Sequence, residues 1–392
     1  MLMRPSRSAI LIALATAFSL LGDQMLYSVL PTYYVELGLM PYQVGLLLSV
    51  NRWVRLGTNS LAEWLCRRWD LTVLVTVSLV FGALLTIVYG TVSLFPVLLV
   101  ARMLWGLSWS FIRQIGLMTV VDSVPPTAIG RMMGYYNGTS RLGSVAGNLM
   151  GAVGHDVIGF SLTMIVFGLV SLIGAPLGWL SRKGLPHQDY TRAGTGIRWS
   201  PELLFCGFVV GSVGPGMMMS TLGLVLKETV GESLMVFGVV IGVATLNGFL
   251  LSGRWITDAL GAPMLGAVSD RLGRRWSAVV YFFVGALALF CGALVSHLWA
   301  LVGCVLVFFV CGVGVSVVLV SEAGLRGSRS VAAYVTASDL GSATGPMLGW
   351  MTQQVHLTTD WIFGMGCVLY ALGGIMALAR FEKSVPVVDG RV

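Results

Sequence analysis

Apolar runs of about 20 residues recur along the whole chain, and each is long enough to cross a hydrocarbon core about 30 Å thick as a helix. A backbone in lipid must satisfy its own hydrogen bonds, which favours helices. Of 392 residues, 56% are hydrophobic and 10% are charged, whereas soluble domains average about 25% charged residues. The sequence therefore predicts an all-α integral membrane protein, and the runs indicate twelve transmembrane helices.

Several kinds of chemistry have little support in the sequence. The six cysteines are scattered through apolar runs without a C-x-x-C pair, and the four histidines fall far apart in predicted loops. Neither set resembles a metal site or a catalytic group. The chain also has no phosphate-binding loop of the ATP-driven pumps. We therefore expect neither an enzyme nor a bound cofactor or metal.

The apolar runs set approximate helix bounds and a division into domains. The first run could be mistaken for a signal peptide, but it continues through Asp23 to about Tyr34 and is too long for one. We expect an N-terminal six-helix bundle at 1–181, a cytoplasmic linker at 182–199 and a C-terminal six-helix bundle at 200–392. The predicted helices lie at about 9–34, 42–65, 72–90, 96–120, 132–153, 160–180, 202–226, 235–266, 276–295, 299–320, 331–353 and 361–380. Helix 8 is the longest, so we expect it to be bent or to project from the bilayer.

The basic residues outside the apolar cores are distributed asymmetrically. One side carries most of them, whereas the opposite side has only Lys227. Such a bias places the basic side in the cytoplasm, so we expect a multi-pass protein of the cytoplasmic (inner) membrane with both termini cytoplasmic. The bias also accounts for the net charge of +7, and nucleic acid is not expected as a partner.

One stretch occurs twice. Residues 140–151 and 338–349 each place a glycine at every fourth position, which lines one helix face for close approach of another backbone. The charged residue inverts between the copies, from Arg141 to Asp339. Helix 7 likewise repeats helix 1, with the matched pairs Ser28 and Ser220, Leu30 and Leu222, and Glu36 and Glu228. The chain is thus predicted to be two pseudo-symmetric halves.

Short motifs carry a family resemblance. Residues 266–275, G-A-V-S-D-R-L-G-R-R, resemble the G-x-x-x-D-R-x-G-R-R loop motif of the major facilitator superfamily, and the first-half copy at 63–68 is degraded. Arg102 and Gly106 resemble the R-x-x-x-G element of its proton-coupled members. Residues 143–151 resemble the helix 5 signature of its drug and metabolite antiporters, with Asn148 where those have proline. The resemblance implies alternating access around a cavity lined mainly by helices 1, 4, 7 and 10.

Charges near the middle of the bilayer are costly, so each is a functional candidate. Asp23 and Arg102 lie about 20 and 24 Å from the same membrane face at 1.5 Å per residue, on two cavity helices. An acid beside an arginine can exchange its proton against the ion pair, which predicts a proton-coupling site. The alternatives are a permanent structural ion pair or an Asp23 that caps the chain around Gly22.

Other residues are candidates for substrate binding. Arg113 lies three turns after Arg102 and so faces the same way, which suggests an anionic group on the substrate with Arg52 as a helper. The alternative partner of Arg113 is Asp122 or a set of helix-end carbonyls. An adaptable apolar pocket could be lined by Trp105, Trp109 and Met218, although such residues also serve plain packing.

A last group is expected to act in gating. Four charges lie at one depth, about 12 Å from the cytoplasm, and the family fold would pair Arg55 with Asp339 and Arg141 with Asp258. The alternative partner of Asp258 is Arg254 in its own helix. The loop motif supplies two further candidates, Asp270 and Arg271. The resemblance implies that Asp270 lies near Arg131 at the start of helix 5 and holds the cytoplasmic side of the cavity closed.

These observations favour a secondary active transporter that moves a small, anionic or amphipathic organic solute by alternating access. Proton-coupled export by antiport is the leading interpretation, and proton-coupled import of a small organic anion is the alternative. A non-transporting membrane receptor or scaffold is a more remote one. The expected partners are the small-molecule substrate, protons and the lipid bilayer, and we expect a monomer.

Overall fold

The computed structural model describes residues 6–185, 200–236 and 238–380. In these ranges the chain forms twelve long helices, one short 3-10 helix at Pro126–Ala128 and one short hairpin, which confirms the predicted all-α membrane fold. The helices are α1 Arg7–Tyr33, α2 Pro41–Cys66, α3 Leu71–Thr91, α4 Phe95–Asp122, α5 Ile129–Ile158, α6 Phe160–Ser171 with Gly174–Arg182, α7 Pro201–Gly211 with Ser212–Met218 and Met219–Val230, α8 Val243–Ile256 with Thr257–Gly261 and Ala262–Leu272, α9 Arg274–Leu294, α10 Leu298–Leu325, α11 Ser328–Gln354 and α12 Asp360–Arg380. The hairpin consists of β1 Ser233–Val236 and β2 Val239–Gly242.

Eight of the twelve helices are long and apolar enough to cross a membrane by length and composition alone. The other four are α2, α5, α8 and α11. They occupy equivalent places in the two halves, and they carry many of the charged residues singled out in the sequence. These four helices are therefore less apolar than the other eight, although Asp23, Arg102 and Arg113 lie on α1 and α4.

Local sequence signals explain several helix starts. The hydroxyl of Ser6 accepts a hydrogen bond from the N–H of Ala9 and caps α1, and Asp70 caps α3 by accepting from Thr72 and Val73. Proline occupies the first turn of α2, α4 and α7, where its missing N–H costs no helical hydrogen bond. Side-chain caps and first-turn prolines therefore account for where these helices begin.

The predicted start of helix 8 was wrong. In place of a helix from residue 235, the chain forms the antiparallel hairpin β1–β2, and α8 begins at Val243. The segment 239–241 is Val-Val-Ile, which favours a strand, and Gly238 adopts a positive φ of 81° in the turn. A short apolar run has the same hydropathy in a strand and in a helix, so the pattern did not distinguish them.

The regular α-helical geometry of α7 is interrupted near its middle. The segment Ser212–Met218, with Pro215 inside it, is π-helical, and the helix resumes on its far side. A second π-helical turn, Thr257–Gly261, interrupts α8. Such turns accommodate an extra residue and are frequent at functional sites.

The described chain divides into two compact units. In one, formed by residues 6–185 and 222–255, α1 packs most extensively against α5, α2 against α4, and α3 against α4 and α6. In the other, formed by residues 200–221 and 256–380, α11 packs on the first part of α7, and α9 packs on α10 and α12. The bundles predicted at 1–181 and 200–392 stay predictions, and most of the predicted linker, 186–199, lies outside the described residues.

Each unit contains one of the two glycine stripes, and both stripes press on a helix backbone. A Cβ on Gly143 would collide with Ala17 and one on Gly147 with Leu21 of α1. In the other unit, the matching contacts of α11 are made by Gly341 with Phe208 and by Gly345 with Ser212 of α7. Larger residues would therefore separate each helix pair.

The π-turn explains a one-residue change in the repeat. Ala17 corresponds to Phe208 and Leu21 to Ser212, each 191 residues later in the chain. Ser28 matches Ser220, which is 192 residues later. The extra residue falls in Ser212–Met218, where a π-turn accommodates it without breaking the helix.

Candidate functional site

Asp23 and Arg102 form a buried ion pair. The Nη1 of Arg102 donates to Oδ1 of Asp23 over 2.5 Å, and their side chains are 1% and 7% exposed, respectively. α1 and α4 place the two residues at matching depth, as the count along the helices predicted. Because a buried charge is tolerated when it is paired and hydrogen-bonded, each residue accounts for the presence of the other.

The rest of the guanidinium is held by α2 and by aromatic rings. The Nε of Arg102 donates to the carbonyl oxygen of Leu47 over 3.0 Å, and the guanidinium lies 5.7 Å from the ring of Tyr27 and 5.4 Å from that of Trp105. Its Nη2 is buried without a hydrogen-bond partner among the described residues. Beside it is a small cavity whose other lining is almost wholly apolar, including Leu26, Leu98 and Phe160. The ion pair therefore lies in surroundings of low dielectric constant.

A second polar chain leads from the other oxygen of Asp23. The amide Nε2 of Gln24 donates to Oδ2 of Asp23 over 2.9 Å. The Oε1 of Gln24 accepts from the indole Nε1 of Trp255 over 3.0 Å and from Nδ2 of Asn148 over 3.3 Å. Gln24, Asn148 and Trp255 are 6%, 0% and 8% exposed. The pair is thus linked to α5 and α8 by hydrogen bonds that the sequence analysis missed.

Trp255 lies close to two arginines. The guanidinium of Arg141 is 4.3 Å and that of Arg254 is 4.5 Å from the ring centroid. Arginine over an indole face gains a cation–π attraction. Trp255 therefore donates a hydrogen bond to Gln24 and also contacts two arginines through its ring.

The residues predicted to bind substrate are placed as follows. Arg113 is half-buried on α4, while its alternative partner, Asp122, forms a buried 2.6 Å ion pair with Arg182. The guanidinium of Arg52 lies 5.2 Å from the ring of Tyr27, the same ring that Arg102 approaches. These positions are compatible with packing and with binding, so the binding roles stay predictions.

The predicted apolar lining is largely buried. Trp105 is 2% exposed, and its ring stacks on that of Trp109 at 5.7 Å. Met218 is 0% exposed in the π-helical turn of α7. A pocket lined by these three side chains stays a prediction.

The gating roles also stay predictions. Arg55 with Asp339, Arg141 with Asp258, and Asp270 with Arg131 would each join one compact unit to the other. Within its own unit, the loop motif places a glycine where the backbone needs one. Gly273 ends α8 with a positive φ of 82°, a conformation that favours glycine. Arg275 of the motif donates to the carbonyl oxygen of Leu378, and Asp270 and Arg271 are exposed.

A cluster of contacts at the α5–α6 end of the first unit was not predicted. Asp156, in the last turn of α5, accepts hydrogen bonds from the N–H and the hydroxyl of Thr245 in the first turn of α8. Asn247 donates to the carbonyl oxygens of Tyr27 and Ser28 on α1. One sequence signal could have indicated this cluster, namely two polar residues, Thr245 and Asn247, one turn inside an apolar run.

Comparisons with known proteins agree on the class. Residues 12–258 match the family model described as Major Facilitator Superfamily. An inner membrane transport protein, YnfM, of Escherichia coli K12 is 25% identical over 258 residues, which are 63% of this chain and 59% of that protein. An uncharacterized transporter of Buchnera aphidicola is 21% identical over 276 residues, covering 67% of this chain and 64% of its own length. The matches thus span less than two thirds of these curated relatives.

Solved structures show the same fold. A bacterial homolog of the human lysosomal transporter Spinster, in an inward-facing and occupied conformation, superposes with a TM-score of 0.74 at 17% identity over 96% of this chain and 94% of that chain. The nucleoside transporter NupG (D323A mutant) gives 0.75 at 10% identity over 96% and 100%. The helix order, the internal repeat, the loop motif and these matches together show that the chain belongs to the major facilitator superfamily and has the fold of a membrane transporter.

Proposed function

We propose that the chain is a proton-coupled secondary transporter in which Asp23 carries the coupled proton. The observation that supports this is the buried 2.5 Å ion pair between Asp23 and Arg102. Protonation of Asp23 would remove one charge of the pair and leave Arg102 in a low-dielectric site, where an uncompensated charge is costly. That cost favours a conformation in which Arg102 meets water or an anionic substrate, which links the proton to transport.

We further propose that the substrate is a small organic anion or an amphipathic anionic solute. Six arginines against three aspartates near the middle of the bilayer would favour a negative group in the cavity. The resemblance of α5 to the antiporter signature favours export in exchange for protons. The same charges also suit symport of an organic anion, which is the alternative. The inner-membrane location, the cytoplasmic termini and the monomeric state belong to this proposal.

The test uses the purified full chain in proteoliposomes with an imposed pH gradient of either sign. A panel of radiolabelled small carboxylates and amphipathic anions serves as the probe. The wild type should accumulate at least one probe, and the sign of the effective gradient separates antiport from symport. Asp23→Asn should lose gradient-driven accumulation while retaining part of the exchange of bound substrate, because the neutral amide mimics the protonated acid.

A matched control is Asp360→Asn, an exposed acid in the first turn of α12, which should accumulate the probe as the wild type does. Accumulation at the wild-type rate by Asp23→Asn would refute proton carriage by Asp23.

A further inference from the structure

We propose that Gln24 is a positioning residue that holds Asp23 in its ion pair and links the protonation of Asp23 to Trp255 of α8. The inference rests on the proposed role of Asp23 as the proton carrier. Gln24 contacts Asp23 on one side and Trp255 on the other, at 2.9 and 3.0 Å. No other described side chain donates a hydrogen bond to Oδ2 of Asp23.

The chemistry of the partners determines how the amide of Gln24 is oriented. The indole N–H of Trp255 can only donate, so the atom that faces it must be the amide oxygen. The Nδ2 of Asn148 donates to the same oxygen. With Oε1 held by two donors, Nε2 is left to face Asp23, and it donates to Oδ2. An amide fixed in this orientation stabilises the ionised carboxylate, which accepts at both oxygens.

The same contacts make Trp255 sensitive to the charge of Asp23. When the carboxyl is protonated, its bonds to Arg102 and Gln24 lose their charge assistance. The hydrogen bond from the Gln24 amide to Asp23 then weakens. The hydrogen bond from Trp255 to Gln24 weakens with it, because the two bonds polarise each other through the same amide. Trp255 is also packed against Arg141 and Arg254, and it is the second-last residue of the first segment of α8, which the π-helical turn follows. The hydrogen bonds of Gln24 thus couple the protonation state of Asp23 on α1 to Trp255 on α8.

Other groups around Asp23 define its electrostatic surroundings. Arg102 faces it from α4, and Tyr27 of α1 and Tyr89 of α3 interact with that guanidinium. Arg52 of α2 lies over Tyr27. None of these groups donates a hydrogen bond to Oδ2 of Asp23. Removal of the Gln24 amide therefore takes from Oδ2 a donor that they do not replace.

The test measures the proton affinity of Asp23 without any substrate. A hydrophobic carbodiimide modifies buried carboxyls in the protonated form, and mass spectrometry quantifies the label on Asp23 as a function of pH in the purified full chain. In the wild type the label should decline as the pH rises, with a definable midpoint. Gln24→Leu should raise that midpoint by about one pH unit, a tenfold gain in proton affinity, since the ionised form loses a donor.

Two variants sharpen the comparison. Trp255→Phe retains an aromatic ring but removes the indole N–H that orients Gln24, so the midpoint should move in the same direction by less. Gln114→Leu replaces a half-buried glutamine of α4 and should leave the midpoint of Asp23 labelling unchanged. If Gln24→Leu does not yield folded protein, the labelling midpoint of Trp255→Phe tests the positioning role by itself.

The outcomes separate the two proposals. A wild-type midpoint that neither Gln24→Leu nor Trp255→Phe moves would overturn the positioning role and leave Asp23 as the proton carrier. Labelling of Asp23 that does not vary with pH in the wild type would overturn both.

Discussion

Asp156 and Thr245 connect the end of α5 to the start of α8. Within the first compact unit, Oδ2 of Asp156 accepts the N–H of Thr245 over 3.1 Å and its hydroxyl over 2.5 Å. Gly242 completes the site, because a Cβ at that position would collide with the carboxylate. The carboxylate thus caps the N-terminus of a helix, where both the orphan N–H groups and the helix dipole favour a negative charge.

Asp156→Ala should therefore lower the stability of the chain. Loss of a charge-assisted cap leaves the Thr245 N–H unmet and costs about 1–3 kcal/mol. The apparent melting temperature in detergent should fall by a few degrees, and a single cysteine placed at the start of α8 should become more reactive. Asp360→Ala, at an exposed acid in the first turn of α12, is the comparison and should change both less, because only its interaction with the helix dipole is lost. Equal melting temperatures for the wild type and Asp156→Ala would contradict the cap.

Arg102→Ala should be more damaging than a double substitution. Alone, it leaves the carboxylate of Asp23 buried without its partner, at a cost of about 3–5 kcal/mol. In Arg102→Ala with Asp23→Asn, that charge is absent, so part of the stability should return even though more contacts are lost. A melting series of both single variants and the double variant measures the coupling. Additive effects of the two changes would mean that the pair contributes no coupling energy.

The glycine stripes should not tolerate side chains where backbones touch. Gly143→Leu would place its side chain against the Ala17 backbone, and Gly341→Leu would do the same at Phe208. Both variants should yield little folded protein. Gly138, on the same helix as Gly143, has no atom within 4 Å of its Cβ position. Gly138→Ala should be neutral or gain up to about 1 kcal/mol from helix propensity, as measured by detergent melting.

A capping residue should give one pH-dependent contribution to stability. The hydrogen bond from the Thr72 side chain, with those from the Thr72 and Val73 backbone, lowers the pKa of Asp70 below its ordinary 3.8 against a smaller effect of desolvation. Because the folded pKa is the lower one, the cap stabilises fully above pH 3.8 and is lost as the pH falls through the folded value.

Asp70→Ala should therefore cost about 0.5–2 kcal/mol at pH 7, and the difference from the wild type should shrink near pH 3. Asp70→Asn retains a good cap without the charge, so its stability relative to Asp70→Ala should not depend on pH. A constant gap between the wild type and Asp70→Ala from pH 7 to pH 3 would exclude the ionised cap.

The sequence by itself determined the medium, the number of helices, the repeat and the two partners of one buried ion pair. Hydropathy depends on composition and length, and bilayer thickness converts length into helix spans. Depth along a straight helix follows from 1.5 Å per residue, which is why Asp23 and Arg102 could be matched across 79 positions before any contact was known. The glycine spacing predicted close helix pairs for the same reason, since a period of four residues keeps one face of a helix.

Only the tertiary structure decided how those helices are rotated and joined. The hydrogen bond from Trp255 to Gln24 links residues 231 positions apart, and that from Thr245 to Asp156 links residues 89 positions apart. Neither has a local signature, because each depends on how two helices that are distant in the sequence are rotated toward each other when they pack. The hairpin before α8 escaped the sequence pattern as well, since burial and strand pairing, rather than hydropathy, decide between two structures that the same apolar run can form.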